Sequence, residues 1–166
     1  MKDISRSFTI ISGGQTGADR AGLDAAAYCC FPTGGWAAKG YLTQTYSGQN
    51  IADRSLTLFG LKEHPTPGYP ARTKANVEDS DGTVWFGYEG SPGGKLTCGT
   101  ARRLGKPLII NPSTAHDMLV WLKKNEISVL NVAGNRLSEF NPKIYQDTFR
   151  VMVRFLQLFA ATNLAQ

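Results

Sequence analysis

The stretch Phe8-Thr9-Ile10-Ile11-Ser12-Gly13-Gly14-Gln15-Thr16-Gly17-Ala18-Asp19-Arg20-Ala21-Gly22-Leu23-Asp24-Ala25-Ala26-Ala27-Tyr28 passes from a β-rich run through a glycine turn into an alanine-rich segment. The run Phe8 to Ser12 reads as a buried strand. The segment from Ala18 to Cys30 carries Ala21, Ala25 and Tyr28 or Cys29 on one stripe, the spacing of an amphipathic helix. Strand, glycine loop and helix together form the opening unit of an α/β fold.

The same alternation returns downstream. Residues 72–79 read as a helix, 82–88 as a central strand, and 90–95 as a second glycine loop. Residues 96–104 read as a helix closed by Gly105-Lys106-Pro107, and 107–111 as a strand. Ser113 or Thr114 caps a helix reaching about Asn125, residues 128–133 form a strand, and Asn141-Pro142 starts a last helix. Between the first unit and these, residues 31–69 are broken by Pro32, Gly34, Gly35 and Gly40 and read as a mostly irregular insertion, with a short strand at 56–61 and a turn at 64–68. The pattern predicts one domain over residues 1–166: a Rossmann-like three-layer α/β sandwich with a mainly parallel sheet. In such sheets ligands bind beyond the carboxyl ends of the strands, where segments 13–17, 90–94 and 134–136 fall.

Composition narrows the function classes. The 166 residues are 42% hydrophobic and 19% charged, enough for a packed core and unlike a disordered chain. No run approaches the roughly 18 apolar residues of a membrane span. The lead, with Lys2, Asp3 and Arg6, is not built as a signal peptide. Three cysteines, two of them adjacent, make no disulfide framework and suit a reduced, cytoplasmic setting. The net charge of +5 is spread along the chain without a basic block, so it favours small anionic partners over nucleic acid or a membrane surface.

The first loop is neither a G-x-G-x-x-G fingerprint nor a P-loop, because Gly13-Gly14-Gln15-Thr16-Gly17 has neither spacing. It has the parts of an anion site: successive N–H groups from Gly14 to Ala18, the Thr16 hydroxyl, the Gln15 amide, and a helix N-terminus worth about half a positive charge. A bare turn would also use the glycines, but it has no need of Gln15-Thr16 or of Asp19-Arg20. The second loop repeats the logic with Ser91, Gly93, Gly94, Lys95, Leu96 and Thr97. Arg72 and Asn76 share a helix face, beside Thr73, so that a guanidinium there can hold a phosphate; Asp81 can accept from a sugar or amino group. The alternative for this cluster, and for Asn135-Arg136 after the last strand, is a structural network of caps and ion pairs. Cys29 and Cys30 read as core filler, while Cys98 is the better thiolate candidate for a soft metal. His64 and His116 have no metal-ligand spacing.

The run Gly13 to Asp24 resembles the opening of the molybdenum cofactor carrier family, the circularly permuted YpsA-type branch of the SLOG superfamily, which includes the lysine-decarboxylase-like LOG proteins. The resemblance continues through Gly35-Trp36, Lys39-Gly40, Tyr69-Pro70-Ala71-Arg72-Thr73, Asn76-Val77, Ser80-Asp81-Gly82-Thr83, Gly93-Gly94 with Thr97, and Gly105-Lys106-Pro107. It implies a Rossmann-like fold, a homo-oligomer (often a tetramer), and binding of molybdenum cofactor (molybdopterin) or molybdate. The LOG phosphoribohydrolases carry P-G-G-x-G-T-x-x-E. Here Leu96 stands at the third glycine and Thr100 at the glutamate. Without that carboxylate, N-glycosidic hydrolysis lacks its partner for an oxocarbenium-like state, unless Asp19, Asp81 or Glu89 serves. Three readings follow: a binding protein for molybdenum cofactor or another phosphorylated pterin or nucleotide-like ligand, a phosphoribohydrolase-like enzyme, and a nucleotide sensor.

Overall fold

The structure is a computed structural model that describes residues 8–164; the charged lead at residues 1–7, read above as no signal peptide, lies outside them. From the amino end the elements are β1 (Thr9–Ile11), α1 (Ala18–Tyr28), β2 (Thr33–Gly34), β3 (Trp36–Ala37), β4 (Leu42–Gln44), β5 (Asn50–Ala52), β6 (Lys62–Glu63), α2 (Tyr69–Asp79), β7 (Gly82–Phe86), α3 (Pro92–Arg103), β8 (Leu108–Ile110), α4 (Ala115–Lys124), β9 (Val129–Gly134) and α5 (Ile144–Leu164). Short 3₁₀ turns span Lys39–Tyr41 and Arg54–Phe59. Five strands form one sheet in the order β2-β1-β9-β7-β8, every pair parallel. The three-layer α/β expectation holds: α1, α4 and α5 cover one face, while α2 and α3 pack together over the other.

Strand alternation divides the side chains between the faces. Ile10, Val84, Phe86, Leu130 and Val132 join Met152, Phe155, Leu156 and Phe159 of α5 in the main core. Phe8 meets Phe31, Phe155 and Phe159 with ring centroids 4.6–6.2 Å apart. Each such side chain contributes roughly 1.5–3 kcal/mol by leaving water. Gly22 lets α1 lie close on the sheet, because a Cβ there would stand 2.5 Å from Val132 Cγ1. As read from sequence, Thr114 caps α4, its Oγ1 accepting from the Asp117 N–H at 3.0 Å.

The insertion departs from the sequence reading. Residues 54–59 form a 3₁₀ turn rather than a strand, entered by Asp53, which accepts from the Ser55 N–H, and ended by Gly60 at φ 77°. The turn sends Leu56 inward against Leu23, Ala37 and Leu61. The insertion is also more regular than expected. β3 pairs with β6 in parallel, β4 with β5 antiparallel, and Thr33–Gly34 adds an edge strand to the main sheet. α3 begins at Pro92, four residues before the predicted start, because Ser91 caps it by accepting from the Gly94 N–H at 3.1 Å. Among the described residues no helix is long and apolar enough to cross a membrane.

Candidate functional site

Parallel strands send the segments after β1, β7 and β9 to one edge of the sheet, and α2, antiparallel to them, brings its amino end to the same edge. There they enclose a cleft of about 600 Å³. That volume falls within the range of small-molecule pockets, about 300–1,000 Å³.

Arg72, in the first turns of α2, is 8% exposed and stands in this cleft. Its Nη1 lies 3.7 Å from Asp19 Oδ2 and donates to Thr73 Oγ1 at 3.0 Å, and its guanidinium lies over the Tyr69 ring at 5.5 Å. Gly13 leaves room for it, since a Cβ there would stand 2.3 Å from Nη1. Arg72 Nε is buried without a hydrogen-bond partner. Asp19 is buried too, and burial pushes its carboxyl up to about 6, against the opposing pull of Arg72 and the backbone N–H groups of Gln15 and Gly134. Burial also pulls Arg72 below its usual range. Such a pair is costly to desolvate, and losing one partner strands the other.

The anion cradle expected at the first loop is not built as read. The Gly14 N–H donates to Ser12 Oγ, the Gln15 N–H to Asp19 Oδ2, the Thr16 N–H to Gln15 Oε1, and the Ala18 N–H to the Asn135 carbonyl. The chain's own Asp19 carboxylate thus takes the positive pole of α1. The Thr16 hydroxyl donates to the Gln44 carbonyl at 2.8 Å, and Gln15 Oε1 accepts from the Gln44 N–H at 2.8 Å, so both side chains fasten the insertion. Gly14 and Gly17 have φ of 74° and 90°, which is what the turn requires of them.

The structure brings Gly13, Gln15, Asp19, Arg72, Thr73, Asn76, Ser91, Gly93, Leu96, Thr97, Asn135 and Arg136 onto the cleft wall. Gly14, Thr16, Gly17, Ala18, Gly94, Lys95 and Asp81 are not on that wall. The Gly94 N–H is used by the Ser91 cap, and Lys95 is an exposed residue of α3. Asp81 lies at the opposite edge, before β7, where Oδ2 accepts from the Ser128 and Val129 N–H groups at 3.0 and 2.7 Å and clamps the start of β9.

Several wall residues also hold the walls in place. Asn76 accepts from the Trp36 N–H and donates to the Trp36 carbonyl. Asn135 accepts from the Tyr88 N–H and donates to Ser91 Oγ, tying the β9 segment to the start of α3. Arg136 donates to the Thr45 carbonyl. Cys98 is packed with Trp85 and Ala133, and burial with the neighbouring Glu89 carboxylate pushes its thiol up to about 11, so the free side chain is held as the thiol. Cys29 is half-buried against the core as expected, whereas Cys30 is exposed at φ 61°. Among the described residues no cluster of three histidine, cysteine or carboxylate side chains could hold a metal ion.

Sequence reasoning missed Tyr69, Trp85, Asn131, Ser138 and Phe140, which also line the cleft. Trp85 and Asn131 are each 2% exposed, yet Trp85 Nε1 and Asn131 Oδ1 have no hydrogen-bond partner. An unsatisfied buried group of this kind costs about 1–3 kcal/mol. The available signal was an asparagine inside the otherwise apolar run 129–133.

Residues 10–156 match the model of the circularly permutated YpsA SLOG family. No curated protein matches the chain. The chain is similar to a crystal structure described as "Putative molybdenum carrier protein" from Syntrophus aciditrophicus SB, with 37% identity and a TM-score of 0.76 over 92% of this chain and 96% of that one.

Proposed function

The chain belongs to the circularly permutated YpsA SLOG family, and on that premise we propose that its cleft binds and carries a small anionic ligand: molybdenum cofactor, molybdate, or a related phosphorylated pterin or nucleotide. The observation that carries this reading is the buried Arg72, aimed at the cleft with Nε unpartnered and its charge only partly met by Asp19 at 3.7 Å. A guanidinium of this kind binds a phosphate or another tetrahedral oxyanion through charge-assisted hydrogen bonds. Ser91, at the amino end of α3, adds a hydroxyl, and the helix pole adds partial positive charge. Cys98 is not on the cleft wall, so a molybdenum-bearing cargo is held through its phosphate and organic parts rather than through a thiolate. The similar crystal structure is named for a molybdenum carrier, which agrees with this cargo. The reading includes a cytoplasmic homo-oligomer, a tetramer by the family resemblance, which light scattering checks.

The test is a molybdate soak read by anomalous diffraction. A molybdenum peak beside the Arg72 guanidinium, lost in Arg72→Met, is the expected result. An ordered peak elsewhere, with none in the cleft, overturns the placement. Affinity falls with salt, as for any charge-led site.

One observation favours a second reading, a phosphoribohydrolase-like enzyme. Of the three carboxylates that could stand in for the glutamate absent at Thr100, Asp19 lines the cleft and has its pKa raised to about 6, suited to general acid work. Glu89 instead pairs with Arg102 at the surface, and Asp81 stands at the far edge. Release of adenine from adenosine monophosphate, abolished in Asp19→Asn, would favour this reading over the carrier.

A further inference from the structure

The hairpin of β4 and β5, residues 42–52, forms part of the cleft rim, and its Gln44 lines the cleft. Apolar packing does not hold it there. Thr43 alone of these residues is buried, none belongs to an apolar core cluster, and Leu42, Tyr46 and Ile51 are exposed. Hydrogen bonds join the hairpin to the body instead. Gln15 Oε1 accepts from the Gln44 N–H at 2.8 Å, and the Thr16 hydroxyl donates to the Gln44 carbonyl at 2.8 Å. Arg136 Nη1 donates to the Thr45 carbonyl at 3.2 Å, and the Tyr69 hydroxyl donates to Asn50 Oδ1 at 2.7 Å. Of these latches, Gln15, Tyr69 and Arg136 are themselves residues of the cleft wall.

We propose that this hairpin is a strap, which opens as a unit to admit the ligand and latches across the cleft mouth once the ligand is seated. The proposal rests on the reading above, in which the cleft takes an anionic ligand, and it adds how that ligand is admitted and kept. A segment fastened by a few partly or fully exposed hydrogen bonds, with almost no buried apolar surface, opens far more readily than the body of the fold. Arg72 and Gln15 are each 8% exposed with the strap latched, so a ligand reaching for them needs the rim out of its way. The latch is also tied to the anion site. The Tyr69 ring carries the Arg72 guanidinium at 5.5 Å while its hydroxyl holds Asn50, so one side chain spans from the guanidinium to the strap. Gln44 is placed on the cleft wall by the bonds from Gln15 and Thr16 to its backbone, so only the latched state offers the ligand that part of the wall. A ligand that touches it binds the latched state better and shifts the strap toward closure. Closure of this kind sequesters a bound molecule and slows its release.

The experiment is hydrogen exchange of the full chain, read by mass spectrometry, alone and with molybdate or adenosine monophosphate at concentrations where calorimetry shows the site filled. Without ligand, the amides of residues 42–52 are expected to exchange at least about a hundredfold faster than those of β7 and β9. Tyr69→Phe keeps the ring and drops the hydroxyl; Thr16→Val removes a latch that is not on the cleft wall. Each is expected to speed exchange of the hairpin about three- to tenfold and to leave β7 and β9 unchanged. Either variant carries the test if the other does not fold. A bound probe is expected to slow the hairpin about tenfold, and to leave the variants about three- to tenfold sooner than the wild type. A hairpin that exchanges as slowly as β7, or that neither variant speeds, overturns the strap and leaves the anion site standing. A probe that binds without slowing the hairpin overturns its closure over the site. If neither probe binds while the variants still free the hairpin, the latch stands and the anion reading falls, and with it the strap's role as a gate.

Discussion

On one face of the sheet Val84, Phe86, Leu130 and Val132 meet α5 in a continuous apolar core; on the other Thr83, Trp85, Asn131 and Ala133 meet α2 and α3 across a cleft. The residues alternate along the same two strands, so the backbone cannot account for the difference. The closed face has its aromatic rings in mutual contact and leaves Thr148 Oγ1 and Asn163 Nδ2 of α5 unmet, whereas the unmet groups of the open face, Arg72 Nε, Trp85 Nε1 and Asn131 Oδ1, belong to residues that line the cleft. A buried polar group without a partner is a cost that folding alone gives no reason to carry. The comparison sets the dense apolar core on the α5 face and the cleft, where the proposed ligand would sit, on the α2–α3 face.

The largest effect is expected from breaking the closed face. Phe155 is fully buried among Phe8, Phe159 and the central strands. Phe155→Ala should cost about 3–5 kcal/mol in urea unfolding and leave the affinity of the folded protein unchanged. Loss of binding without loss of stability would reverse the assignment of the two faces.

A smaller effect tests the open face through pH. The folded Asp19 carboxyl, at about 6, stands above its ordinary value of 3.8, so the folded state holds a proton there that the unfolded chain releases sooner. Stability is therefore fully present below about pH 4 and declines as pH rises to about 6, by on the order of 1–3 kcal/mol. Asp19→Asn should flatten that segment of the stability–pH curve. Protonation of Asp19 also removes the negative charge beside Arg72, so sulfate affinity should rise as pH falls through about 6. A wild-type curve that climbs over this window would contradict the buried pair as described.

The smallest contrast lies between two helix caps. Thr114 caps α4 away from the cleft, and Ser91 caps α3 on its wall. Thr114→Ala and Ser91→Ala should each cost about 1 kcal/mol in thermal unfolding. Ser91→Ala alone should weaken anion binding, and an equal loss in both variants would place the donor set elsewhere.

The α5 face was the more legible in sequence. The apolar runs at 8–12, 82–88, 107–111 and 128–133 led directly to the sheet and its core. The insertion was not legible, because two-residue strands are held by distant partners such as Trp36 with Asn76 and Gln44 with Gln15. Arg72 was found from its place on α2, and the sheet edge was found from the strand–loop–helix order. The first glycine loop was misread as a cradle because the groups that close it, the side chains of Ser12, Gln15 and Asp19 and the carbonyl of Asn135, reveal their aim only in three dimensions. Asp81 was read as an acceptor for a sugar or amino group, but it precedes its strand, and a parallel sheet sends the start of a strand away from the edge where the cleft lies.

The most direct test of the central claim, that the cleft beside Arg72 holds a phosphorylated ligand, is native mass spectrometry of the wild type and Arg72→Met, both purified from a host that makes molybdenum cofactor. The account predicts an added mass on the wild type that matches a phosphorylated pterin or nucleotide and is absent from the variant. A wild type that carries no such mass, or a variant that retains it in full, would contradict the account.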